Sequence, residues 1–256
     1  MSKKILITGA NGLVGTALRR FLHGRYDLRL LFHNTVSEVE PGAEVVVSDL
    51  SDFESMVEAG AGVDAIVHMG IATGRGGQPR ARYNQLILET NVQGTYNIFE
   101  SARINGVKTV VFGSSNAVTG LYEGDGILTT PDMPVRPRDF YGVSKVFGEA
   151  MGRHYHELFD LSVYCIRICN FPNTDECMSD FEPGMNRWLS TRDVAELTAC
   201  CIEAPHPQFG IIYGVSKGAE KKWDITNAKE LVGWEPQDDG IRSNRVDQDR
   251  AARESP

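Results

Sequence analysis

The 256-residue chain has few cysteines, no excess of positive charge and no long apolar run, and each shortage narrows what it can be. Its five cysteines, Cys165, Cys169, Cys177, Cys200 and Cys201, lack the C-x-x-C spacing of a zinc site, so reduced, mostly buried thiols are the expected state. The six histidines form no ligand set either. His154 and His156, two apart on one helical pattern, point to different faces, and no metal is expected. A net charge of −8 without a local basic patch argues against nucleic acid or an anionic membrane as partner. No stretch is apolar enough to cross a bilayer, and the first residues run straight into a strand pattern without signal-peptide character. A cytoplasmic location is the expectation.

What is present is a regular alternation. Apolar strand-like runs near 3–8, 28–32, 44–48, 64–68, 108–113, 162–167 and 210–213 are interleaved with helical patterns near 13–23, 51–59, 82–105, 140–158 and 191–203. Strands alternating with helices predict an α/β fold, a doubly wound parallel sheet covered on both faces. With 41% hydrophobic residues the chain can bury a core of that size. Residues 1–168 read as a dinucleotide-binding domain, 169–236 as a small substrate-binding region interleaved with the last sheet strand, and 237–256 as a loose polar tail. The Gly- and Pro-containing stretch Glu123 to Arg138 reads as a loop that covers a substrate.

Three segments carry chemistry. Gly9, Gly12 and Gly15 lie between the first strand and the first helix, where a glycine-rich turn brings backbone N–H groups to a pyrophosphate. The spacing is Gly-x-x-Gly-x-x-Gly, and such a turn also serves merely to reverse a chain. Tyr141 and Lys145, four apart, share one helix face, where an ammonium favours the phenolate a general base needs. A surface pair on an amphipathic helix has the same spacing. Ser114-Ser115-Asn116 follows the apolar run Thr109 to Gly113, at a strand's carboxyl end where ligands bind in open α/β sheets; serines there are also common turn formers.

Together with Asp49-Leu50 and Asn91-Val92-Gln93-Gly94-Thr95, these segments resemble the extended short-chain dehydrogenase/reductase family, also called the NAD-dependent epimerase/dehydratase family, in order across the first two thirds of the chain. The resemblance implies a Rossmann fold and a nicotinamide cofactor. It makes Ser115, Tyr141 and Lys145 the catalytic set, Lys145 also binding the nicotinamide ribose and tuning Tyr141. It places the cofactor on Gly9, Asn11, Gly12, Leu13, Val14, Gly15, His33, Asn34, Asp49, Leu50, Met69, Gly70, Ile71, Asn91, Tyr141, Lys145 and Ile168.

Local sequence is most similar to uronate dehydrogenases: Phe140 to Glu149, Asn186 to Thr191, Tyr213 to Ser216 and Gly233 to Pro236. That likeness implies hydride transfer from C1 of glucuronate, galacturonate or a related sugar, giving a lactone. It places the sugar acid on Thr73, Ser115, Asn116, Tyr141 and Arg187, with the Arg187 guanidinium gripping the carboxylate. It also implies a homodimer or higher homo-oligomer through the helices at 82–105 and 140–158. Three departures stand out. Ala117 replaces a family histidine, and the segment Thr73 to Arg82 is unusually basic. Leu30-Leu31-Phe32-His33-Asn34 has neither the carboxylate of an NAD user nor the arginine of an NADP user, so the cofactor is NAD or NADP. A nucleotide-sugar epimerase or dehydratase, and a catalytically silent NAD(P)-binding sensor, are the alternatives.

Overall fold

The computed structural model describes residues 2–72, 79–171 and 186–239. Seven parallel strands form one sheet: β1 (Lys4–Thr8), β2 (Asp27–Phe32), β3 (Glu44–Val47), β4 (Ala65–His68), β5 (Thr109–Ser115), β6 (Ser162–Ile168) and β7 (Phe209–Gly214), in spatial order β3-β2-β1-β4-β5-β6-β7. The helices are α1 (Leu13–Leu22), α2 (Phe53–Gly60), α3 (Arg80–Leu86), α4 (Gly94–Asn105), α5 (Gly120–Gly124), α6 (Phe140–Phe159), α7 (Thr191–Glu203) and α8 (Thr226–Val232).

Successive strand residues point to opposite faces, so a strand buried on both must be apolar throughout. In β1, Ile5 and Ile7 enter the core layer shared with α1, α7 and α8, while Leu6 enters the opposite layer with residues of α2 and α4. Val111 of β5 belongs to the first layer, and Val110 and Phe112 to the second. α6 approaches β5 closely because Gly148 has no side chain; a Cβ there would overlap the Phe112 ring. Helix starts are set by side chains that accept from free backbone N–H groups: Asp52 from Ser55, Asp139 from Gly142 and Ser190 from Asp193.

The expected seven strands are all present within a residue or two. The expected single helix at 82–105 is different: α3 and α4 are joined by a π-helical segment, Ile87–Gln93. The wider turn carries the buried Asn91, whose side chain accepts from the Ala72 N–H at 2.8 Å and donates to Ser144 Oγ at 3.0 Å. α8 was not expected, and α5 extends into the start of the expected 123–138 loop. The expected loose tail is anchored where it begins. Gln237 and Asp238 donate backbone N–H bonds to the buried Asp193 carboxylate at 2.8 and 3.1 Å, and residues 240–256 lie outside the described residues. No helix among the described residues is long and apolar enough to cross a membrane.

β1 has β2 on one side and β4 on the other, and the chain runs outward from it in both directions. This is the switch point where an open parallel sheet leaves a crevice beyond its carboxyl ends.

Candidate active site

Two cavities occupy that crevice. The larger, about 290 Å³, is lined by the β1–α1 turn (Gly9, Ala10, Asn11, Gly12), by Leu31, Phe32 and His33, by Ser48, Asp49 and Leu50, by Met69 to Ala72, and by Leu86 and Thr90. The smaller, about 130 Å³, is lined by Val14, Gly113, Ser114, Ser115, Tyr141, Lys145, Ile168 and Cys169. Met69 and Ile71 belong to both walls, so the two cavities are neighbours in one cleft.

The three glycines have separate reasons. Gly9 sits at φ 68°, where only glycine is unstrained, and a Cβ there would lie 2.8 Å from the backbone of Gly70 at the exit of β4. Gly12 donates to the Gly9 carbonyl at 2.8 Å and closes the turn. A Cβ on Gly15 would overlap that same carbonyl oxygen. α1 has Gly12 at its N-cap, with no side-chain cap and no acidic residue in its first turn, leaving its N–H groups and positive dipole end open to a pyrophosphate. The cradle therefore fits a dinucleotide. Gly15→Ala overpacks it at about 1–3 kcal/mol, so the Kd for NAD, read by fluorescence titration, should rise roughly tenfold or more; unchanged affinity would remove the cradle assignment.

Behind the glycines lies a polar column. Thr8 Oγ1 bonds His68 Nδ1 at 2.7 Å and accepts from Gly70 N–H at 3.1 Å, and His68 Nε2 lies 3.3 Å from Thr95 Oγ1. Burial, then the Lys145 charge, push His68 down to about 3, so it is a neutral strut between two hydroxyls. At the rim, His33 Nε2 lies 3.1 Å from Asp49 Oδ2. Against the cost of burial, bonds from the Ser51 backbone and hydroxyl and the nearby His33 hold Asp49 below its ordinary range.

Lys145 is 2% exposed, donates to the Gly113 carbonyl at 2.6 Å and stands 5.6 Å from the Tyr141 ring centroid. Burial pushes its pKa down to about 7. Ser115 Oγ accepts from the Ala117 N–H at 3.1 Å and donates to Asn116 Oδ1 at 3.4 Å. Asn116 Nδ2 in turn donates to Glu123 at 3.0 Å, and Glu123 also accepts from the Trp223 indole at 3.3 Å. Below these, Arg167 and Glu149 form a buried two-bond pair at 2.8 and 2.9 Å. Ser114 Oγ donates to Glu149 at 2.7 Å and Arg167 donates to Tyr213 Oη at 3.1 Å.

Of the sequence-predicted cofactor residues, Gly9, Asn11, Gly12, His33, Asp49, Leu50, Met69, Gly70 and Ile71 line the larger cavity, and Val14, Tyr141, Lys145 and Ile168 the smaller. Gly15 and Asn91 stand behind the walls, whereas Leu13 and Asn34 reach neither wall. Ser115 lines the smaller cavity, and Asn116 is joined to it through Ser115. The partly buried Arg187 acts electrostatically on Glu123 and Cys169. Thr73 lies outside the described residues. Sequence reasoning missed Glu123 and Trp223, which come from distant segments and meet beside Asn116, and Leu86 and Thr90, whose four-residue spacing on a helix was readable as a shared face.

A glycine cradle at the switch point of a doubly wound parallel sheet defines a dinucleotide-binding protein. The sequence model of the NAD dependent epimerase/dehydratase family matches residues 5–175, and the chain belongs to that family; its cofactor is a nicotinamide dinucleotide. An NAD-dependent glucose-6-phosphate dehydrogenase of Haloferax volcanii is 35% identical, over 93% of this chain and 94% of that protein. A uronate dehydrogenase of Agrobacterium fabrum is 34% identical, over 92% and 85%. The crystal structure of a mutant uronate dehydrogenase from Agrobacterium tumefaciens complexed with NAD superposes with a TM-score of 0.81 at 29% identity, covering 96% of this chain and 89% of that one.

Proposed function

We propose that the protein is an NAD-dependent dehydrogenase that oxidises the C1 hydroxyl of an anionic aldose, with uronates such as glucuronate and galacturonate as the leading class, to the corresponding lactone. The observation that carries this reading is the convergence of Ser115, Tyr141 and Lys145 on one small cavity adjoining the glycine cradle. The relatives named above, sugar dehydrogenases matched over nearly the whole chain, support the same class of substrate.

When bound, the nicotinamide supplies a hydride acceptor. Tyr141 takes the C1 hydroxyl proton as the C1 hydride departs, leaving the C1 carbonyl of the lactone. Lys145, held by Gly113 beneath the Tyr141 ring and titrating at about 7, changes charge near neutrality beside that phenol. Ser115 Oγ already accepts from the Ala117 N–H, which directs its own proton toward Asn116 or a substrate oxygen. Cys169 lines the smaller cavity, and Arg187, which acts electrostatically on the Cys169 thiol, is the proposed contact for the sugar carboxylate.

At the rim, an ionised Asp49 opposes a ribose 2′-phosphate, which favours NAD over NADP. Exposed Tyr96 and Ile104 on α4 and Val143 and Phe159 on α6 support pairing between copies of the chain, which sedimentation would measure. The functional test is a panel of uronates and neutral aldoses, scored by the absorbance of reduced cofactor with NAD and with NADP. Arg187→Gln should raise KM for uronates about tenfold or more, the cost of one lost charge-assisted pair, with a much smaller change for neutral sugars. Equal effects on both would undo the carboxylate role.

A further inference from the structure

Lys145 is a buried cation without a counterion. An ammonium only 2% exposed ordinarily has a carboxylate at its head, because taking an isolated charge out of water is costly. Among the described residues no carboxylate lies within salt-bridge distance of it. Its hydrogen bond to the Gly113 carbonyl at 2.6 Å engages one of three N–H donors. Glu149, one turn further along α6, is committed to Arg167 and Ser114.

Where a carboxylate would stand there is a ring. Lys145 Nζ lies 4.8 Å from the Phe112 ring centroid, closer than its 5.6 Å to the Tyr141 ring, and both distances are within the range over which an aromatic face attracts a cation. Phe112 is fully buried in β5 and fitted to α6: a Cβ on Gly148 would come within 2.1 Å of its Cζ. Gly148 is three residues after Lys145 and shares its helix face, so the missing side chain is what lets the ring reach the lysine. The rings of His68 and Phe99 pack against Phe112 at 5.9 and 6.2 Å. Phe112 lines neither cavity, so any influence it has on the chemistry passes through Lys145.

We propose that Phe112 is a positioning residue of this site: its ring face takes the place of a carboxylate opposite the Lys145 ammonium and keeps that charge beneath the Tyr141 phenol. A ring there has a chemical advantage. A carboxylate would cancel the field that favours the phenolate, whereas a ring quadrupole attracts the cation without adding a net charge. The other titratable groups around the ammonium are neutral or neutralised. His68 on β4 is uncharged, burial keeps the Cys165 thiol on β6 protonated, and Glu149 on α6 is matched by Arg167. Burial lowers Lys145 to about 7, so weakening the ring changes how much of it is charged near neutrality. The proposal rests on reading Tyr141 as the general base, but the charge on Lys145 can be followed without turnover.

Phe112→Leu keeps an apolar side chain and removes the ring. In full-length protein isotopically labelled at lysine Cε, the NMR titration midpoint of Lys145, assigned with Lys145→Arg, should fall by about one pH unit in the absence of cofactor. Because that variant also opens space in the core, ortho-fluoro- and di-ortho-fluorophenylalanine placed at position 112 give the same reading in a ring of nearly unchanged outline. Their fluorines stay off the Cζ and Cε edge that meets Gly148. The midpoint should fall in the order of fluorination, by about half a pH unit for two fluorines, and kcat with NAD at neutral pH by about threefold, while the sugar KM stays within about twofold. A midpoint that ignores fluorination or rises with it overturns the proposal, as does a kcat that follows Tm and not the midpoint. If no uronate or neutral aldose is oxidised while the midpoint still falls, the hydride-transfer reading fails and the role of Phe112 toward Lys145 stands.

Discussion

Tyr141→Phe is expected to lower kcat by about 10²–10⁴, the ordinary contribution of a positioned general base, while the Kd for NAD stays within about threefold. The phenol is the proposed group in the smaller cavity able to take a proton from a sugar hydroxyl. Lys145 behind it is fixed to the Gly113 carbonyl at 2.6 Å, and its alkyl stem and ammonium are enclosed. Removing one oxygen leaves those supports and the glycine cradle untouched, so a fall in kcat without a fall in cofactor affinity separates proton transfer from binding. Stopped-flow and equilibrium titration on the same preparation read the two quantities. A rate near that of the unaltered protein would end the mechanism proposed for this site.

The largest effect on stability is expected at Arg167. It is 1% exposed, and its guanidinium makes two bonds to Glu149 and one to Tyr213. Glu149 also receives Ser114, the neighbour of Ser115. Arg167→Met leaves the Glu149 carboxylate buried without its cation, a loss of about 3–5 kcal/mol. For a chain of this size that corresponds to a fall in Tm on the order of 10 °C. Glu149→Leu in the same protein should recover much of it, because replacing a whole buried pair with apolar groups is often nearly neutral. Urea unfolding of the two single variants and the double variant gives the coupling energy directly. A single-variant loss within about 1 kcal/mol would mean that water or a rearranged partner meets the stranded carboxylate.

Those two residues also mark where reading the sequence succeeds and where it stops. The strand–helix alternation was legible because β1 and β5 are apolar on both faces, which leaves few other folds open. Gly9, Gly12 and Gly15 were legible because their positions relative to a strand and a helix carry meaning, and Tyr141 and Lys145 because a four-residue spacing places them together. Arg167 was not. A charged residue inside a strand carries no local sign of a partner, and Glu149 lies eighteen residues away on a helix. Glu123 and Trp223 are a hundred residues apart, so their contact belongs to tertiary packing alone. The π-helical turn escaped for another reason: it alters which carbonyl each N–H meets, while the side-chain pattern of 82–105 remains that of a helix.

That turn also limits how this protein can be re-engineered. Ile87–Gln93 holds a surplus residue relative to a regular helix, and deleting one would tidy the backbone. It would also rotate everything on its upstream side by roughly 100° about the helix axis. Leu86, and Thr90 if the deletion falls after it, would swing off the wall of the larger cavity, and Asn91 could no longer bridge Ala72 and Ser144. The irregularity works as a phase adjuster, setting the angular register between two helical halves that serve different ends of the cleft.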